Sequence, residues 1–127
     1  MIVRGLRIGP ISPAADGPLY EQIVAGVKRE IAAGQLLPGA ALPSVRTLAA
    51  DLLVSVITVK RAYEELERDG IIFSRQGLGT FIADAGAEET RRAARETARQ
   101  HLQGAARAAR EAGLSEKDLI ELLRKEF

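Results

Sequence analysis

Residues 55–70 read SVITVKRAYEELERDG, and the reading of this stretch decides the fold. Ser55 stands before an apolar-periodic run and Gly70 just after it, the residue types that start and stop a helix. The spacing therefore predicts one helix from Val56 to Asp69, with Ser55 as N-cap and Gly70 as the first residue beyond its end. Val59, Ala62, Tyr63 and Leu66 recur at i, i+3, i+4 and i+7 and make its buried face. Ile57, Arg61 and Arg68 fall opposite that face, and Thr58 and Lys60 flank it.

The charges on this helix oppose its dipole. A helix N-terminus carries partial positive charge and favours acids, while the C-terminus favours bases. Here Lys60 and Arg61 come early, and Glu64, Glu65, Glu67 and Asp69 crowd the end. Each misplaced charge near a terminus costs roughly 0.3–1 kcal/mol at low salt. A solvated surface helix gains nothing from that arrangement. A helix that turns its first half toward a polyanion and its acidic end away does, which is the posture of a recognition helix in a DNA major groove.

Working outward, Ser44 caps a preceding helix, Val45 to Leu53, whose buried face is Val45, Leu48, Ala49 and Leu52. Arg46 lies in its first turn, a third cation opposing a helix dipole. Val54-Ser55 is the short link, so the two helices make a helix-turn-helix. Upstream, Pro18 suits a first helical turn, and Leu19, Ile23, Val27 and Ile31 repeat every four residues, with Tyr20 and Val24 beside them. Gly34 ends this helix; Leu36 to Gly39 is a turn and Ala40 to Pro43 a short extended piece. After Gly70 the period drops to about two, giving strands at Ile71 to Arg75 and Thr80 to Ala83. Gln76-Gly77-Leu78-Gly79 joins them, with Arg75 and Gln76 at the tip. Three helices followed by a hairpin make a winged helix-turn-helix, spanning residues 18–83. Residues 1–17, punctuated by Gly and Pro, read as an extended arm with a short strand around Ile2 to Ile8.

Asp84 to Ala87 reads as a hinge leading into a helical tail, residues 84–127. A long helix from Glu88 to Ala112 carries a low-bulk stripe of Ala94, Ala98, His101, Ala105, Ala109 and Ala112, with Leu102 alongside. Gly104 in mid-helix costs roughly 1 kcal/mol relative to Ala, which suggests a packing reason for it. Ser115 and Asp118 have capping-box spacing, with Leu114 and Leu119 at the staple positions. Leu119, Leu122, Leu123 and Phe127 form the apolar face of the last helix. Two helices of this size make a poor core alone, so a homodimer built on these tail residues is expected. The fold class is thus mainly α with a small β-hairpin: a winged helix-turn-helix and a two-helix dimerisation tail.

Composition excludes several functions. The absence of cysteine removes disulfides, Cys-ligated metals and thiol catalysis, and a single histidine cannot build a His-rich metal site. No paired carboxylates suggest an enzyme, and no cofactor is expected. The formal charge of +1 says little about partners, because what counts is where the charge sits. With no signal-like segment and no long apolar run, a cytoplasmic protein away from the membrane is expected. His101, on the alanine stripe, is expected to be an interface histidine rather than a pH or metal sensor.

The motifs resemble the GntR-family DNA-binding domain. They are Leu42 to Ala49, Val54 to Tyr63, Leu66 to Ile72, and Gly77 to Ile82, with Pro18 to Ile23 fitting the same pattern. The short tail resembles that of the YtrA subfamily. The resemblance implies a dimeric transcriptional repressor on a two-fold symmetric double-stranded DNA operator, and YtrA-type members often control transporter operons. Family DNA-contact positions fall on Arg46, on Ser55, Val56, Ile57, Thr58 and Lys60, and on Gln76 and Gly77 of the wing. Many relatives carry a polar or basic residue where this chain has Val56, so that base contact does not transfer. Ile57, with Val56, instead suits thymine methyl groups, although by angle Val56 leans toward the core. Arg46, Lys60, Arg61 and Arg75 suit phosphates. Any small-molecule effector is expected between protomers or between tail and winged helix. Two competing readings are a protein–protein interaction module, which leaves those cations unexplained, and the regulatory front end of a pyridoxal-phosphate enzyme. The second needs several hundred further residues.

Overall fold

A computed structural model describes Ile8 and residues 18–127. The chain forms two compact units, Met1–Arg91 and Arg92–Phe127. In order the elements are α1 (Leu19–Ala32), β1 (Ala41–Leu42), α2 (Val45–Leu52), α3 (Val56–Arg68), β2 (Ile72–Arg75), β3 (Gly79–Ile82), α4 (Asp84–Glu111) and α5 (Glu116–Lys125).

The core of the first unit is built around α3. Its buried residues are Val59, Ala62, Tyr63 and Leu66, the stripe expected from the spacing. They meet Ile23, Val27 and Ile31 of α1, Leu48 and Ala49 of α2, and Ile72 and Ile82 of the sheet. Tyr63 adds a directional tie, because its buried hydroxyl donates to the Pro43 carbonyl at 2.7 Å. That bond joins α3 to the segment entering α2, so it helps fix the angle between the two helices. Helix α3 stops in a Schellman arrangement: Gly70 adopts φ 74° and the Ile71 N–H donates to the Leu66 carbonyl at 2.9 Å.

The sheet has the order β1-β3-β2, all antiparallel. The piece at Ala40 to Pro43 supplies β1, which pairs Ala41 with Phe81 and Leu42 with Thr80. In the hairpin, the cross-strand partners Phe73 and Phe81 stack with ring centroids 5.6 Å apart.

Several details depart from expectation. Leu53 does not continue α2; it takes a left-handed conformation (φ 58°, ψ 43°) with its side chain 91% exposed. Asp84 to Ala87 is the first turn of α4, not a hinge. Close packing explains this: Ala87 is fully buried, and a Cβ on Gly86 would collide with the backbone of Gly70 and Ile71. The expected arm lies outside the described residues except for Ile8. That residue is buried against Gly26 and its carbonyl accepts from the Arg29 guanidinium at 2.9 Å.

In the second unit α4 ends at Glu111, Gly113 turns the chain at φ 74°, and α5 begins with a reciprocal capping box. The Asp118 N–H donates to Ser115 Oγ at 3.1 Å, and the Ser115 N–H donates to the Asp118 carboxylate at 3.0 Å. No α5 residue is buried. Among the described residues Gly104 has no neighbour within 4 Å of where a Cβ would stand, so no contact among them explains it.

Candidate nucleic-acid interface

Helices α2 and α3 share a cap design. Ser44 Oγ and Ser55 Oγ each accept the N–H of the residue three positions on, Thr47 and Thr58, both at 3.1 Å. The paired hydroxyls also bond each other, at 2.9 Å in α2 and 2.8 Å in α3. Each cap satisfies one of the free N–H groups of its first turn and leaves others outward. The first turns of α1, α4 and α5 carry acids, whereas those of α2 and α3 carry none. The two helices of the helix-turn-helix are thus the ones whose positive ends are left uncompensated.

Cations occupy these ends. Arg46 lies in the first turn of α2, Lys60 and Arg61 follow the first turn of α3, and Arg75 closes β2; all are exposed. Among the described residues no acid forms an ion pair with any of the four. Apolar side chains stand between them. Ile57 is 78% exposed and Val56 45%. Val56 is therefore outside the core, contrary to its angular position, because it opens the helix a full turn before the first buried residue, Val59. Beyond Arg75, Gln76 and Gly77 form the exposed wing turn, with Gly77 at φ 78°. Leu78, also at the tip, is 75% exposed.

One contributor was not expected from the sequence. Tyr20, on α1, lies beneath Arg61, the guanidinium carbon 4.1 Å from the ring centroid. It lines an open groove of about 510 Å³ along the outer face of α3, together with Ile57, Lys60 and Arg61. No local pattern links residues so far apart in sequence; only the packing of α1 on α3 does.

The expected dimerisation residues sit on α4 and α5. Ala94, Ala98, His101, Leu102 and Ala105 are exposed on α4. On α5 and beyond, Leu119 is half-buried, and Leu122, Leu123 and Phe127 are exposed. Among the described residues no three or more His, Asp or Glu side chains converge as a metal site, and no helix is long and apolar enough to cross a membrane.

A winged helix-turn-helix with exposed cations at two acid-free helix starts defines a DNA-binding class of fold. Residues 19–82 match the family of bacterial regulatory proteins known as the gntR family, and the chain belongs to the GntR family. It is 45% identical over 74 residues to the transcriptional repressor YtrA of Bacillus subtilis, a match covering 58% of this chain and 57% of that protein. It is 38% identical over 104 residues to the transcriptional regulator YhcF of the same organism, covering 82% and 85%. A GntR-family regulator from Listeria monocytogenes superposes with a TM-score of 0.64 at 30% identity, covering 87% of this chain and 96% of that one. The DNA-binding domain of AraR, solved in complex with its operator ORX1, superposes with a TM-score of 0.51 at 33% identity over 59% of this chain and 89% of that one.

Proposed function

We propose that the chain is a sequence-specific transcriptional repressor that acts as a homodimer on a two-fold symmetric operator. Helix α3 enters the major groove with its N-terminal half, α2 braces the backbone, and the β2–β3 turn reaches the flanking groove. The observation that carries this is the set of exposed cations Arg46, Lys60, Arg61 and Arg75, near two acid-free helix starts and the wing, that no acid among the described residues pairs with. In a chain holding 17 acids, cations left without an acidic partner are best explained by a polyanion that covers them. The name of the YtrA relative, a repressor, and the operator bound by AraR support the same direction of function.

Residues 18–83 form the DNA-binding part and residues 84–127 the dimerisation part. A second copy covers the apolar faces of Ala94, Ala98, His101, Leu102 and Ala105 and of Leu119, Leu122, Leu123 and Phe127. The operator controls a transporter operon, and any effector binds in the dimerisation part. The protein acts in the cytoplasm, where its DNA is.

The test is fluorescence anisotropy on a fragment of the gene's own promoter at several salt concentrations. Four phosphate contacts per protomer in a dimer give a log–log salt slope on the order of −7. Replacing Arg46 by Ala should weaken binding and flatten the slope by about 2, since each dimer loses two contacts. A slope near zero, or an Arg46→Ala variant that binds as the wild type does, would refute the proposal.

A further inference from the structure

We infer that Tyr20 is a positioning residue for DNA binding: its ring holds Arg61 in a pose that presents the guanidinium to a phosphate. The inference rests on the chain's being a DNA-binding repressor. The guanidinium carbon of Arg61 stands 4.1 Å from the Tyr20 centroid, and its Nη2 donates to the Tyr20 hydroxyl at 3.4 Å. That hydroxyl in turn donates to the Glu21 carboxylate at 3.3 Å. An arginine at this place on a helix has nearer partners available. Glu64 and Glu65, three and four residues on, are at ion-pairing spacing and line the same groove. Neither forms an ion pair with Arg61. Instead the side chain crosses to another helix and lies on an aromatic face, which restrains it without neutralising its charge. A free arginine side chain loses much rotamer freedom on binding, and a stacked one has lost it beforehand.

A second instance supports the same device. The Arg75 guanidinium carbon lies 5.1 Å from the centroid of the Phe73 ring. The chain holds only two Tyr and three Phe, yet two of these five rings lie under cations of the candidate interface. Phe73 also stacks on Phe81 in the hairpin, so its replacement would disturb the wing itself. Tyr20 is only half-buried at the edge of the core, and leucine there keeps apolar packing while removing the ring.

The test is a double-mutant cycle read by anisotropy on the promoter fragment at two salt concentrations, using full chains whose thermal midpoints are checked first. Tyr20→Leu should weaken binding about two- to five-fold and flatten the salt slope in the same sense as Arg61→Ala. Tyr20→Phe, which keeps the ring, should stay close to wild type. In an Arg61→Ala background, Tyr20→Leu should have no further effect. Losses that add in full, a Tyr20→Leu variant that binds normally, or a Tyr20→Phe loss equal to that of Tyr20→Leu would overturn the inference. Lys60→Ala, measured alongside, separates the two levels. Weakening by that variant keeps DNA binding in place even where the cycle fails, whereas a wild-type chain that does not hold the fragment overturns both.

Discussion

Replacing Leu53 by Gly should make the winged helix more stable, although it deletes a large apolar side chain. Leu53 holds φ 58° and ψ 43°, where an L-residue brings its Cβ too close to the following carbonyl oxygen, at a cost of about 1–2 kcal/mol. Its side chain is 91% exposed, so truncation forfeits almost no burial. Against that gain stands the greater freedom that glycine gives the unfolded chain, about 0.4–1 kcal/mol. The balance is a stabilisation of roughly 0.5–1 kcal/mol. The chain has no tryptophan, and both tyrosines lie in the first unit, so tyrosine fluorescence reports on the winged helix alone. With a urea m-value of about 1–2 kcal/mol/M for so small a unit, the midpoint should rise by roughly 0.3–1 M at unchanged slope. Leu53→Ala serves as the control. It keeps the strained φ and should be close to neutral. A Leu53→Gly variant less stable than the wild type would refute the reasoning, as would an alanine variant stabilised equally, since the backbone would then not be the cause.

Four further outcomes are expected. Tyr63→Phe should cost about 1–3 kcal/mol in urea unfolding, because it leaves the buried Pro43 carbonyl unpaired. Burial holds the Tyr63 hydroxyl protonated well above the usual 10.0, so the gap between this variant and wild type should be flat across neutral pH and shrink only in strong alkali, as pH rises beyond that value. Gly86→Ala should destabilise by about 2 kcal/mol or more by calorimetry, because the atoms in the way are backbone and cannot rotate aside. The Ser115 N–H, and then its hydroxyl, hold the Asp118 carboxyl below its ordinary value. A lowered value stabilises the fold above the unfolded-state pKa and fails as pH falls through the folded one, so the helicity gap between wild type and Asp118→Ala should close in acid by circular dichroism. Finally, sites selected from a random DNA library should show T·A preference opposite Ile57, and Ile57→Ala should relax it.

What was legible in the sequence was local. Helix α3 announces itself through Ser55, Gly70 and a four-residue stripe, because caps and periodicity act within a few turns. The capping box of α5 is legible for the same reason. Leu53 is not, because leucine is a good helix former and nothing nearby marks it for a left-handed turn; the constraint comes from how α2 and α3 must meet. Gly86 misleads in the opposite direction. A glycine beside small residues suggests a hinge, yet here it lets α4 start against the backbone of Gly70 and Ile71. The partnership of Tyr20 with Arg61 depends on tertiary packing. Within the candidate interface, residue types were legible and their restraint was not.

The pairing of β1 with β3 has a kinetic consequence. Ala41 and Leu42 bond to Phe81 and Thr80, so α2, α3 and β2 all lie inside one loop of chain whose two ends are zipped together. Closing such a loop costs entropy that is recovered only once the distant strands have met. The helix-turn-helix and the wing are therefore expected to fold as one unit, with a folding rate that falls when the β1–β3 pairing is weakened. Conversely, opening the clasp releases both ends of the segment together, so amide exchange in α3 should track unfolding of the whole winged helix. An excised peptide spanning α2 and α3 would keep every cap and lose the clasp that makes them one object.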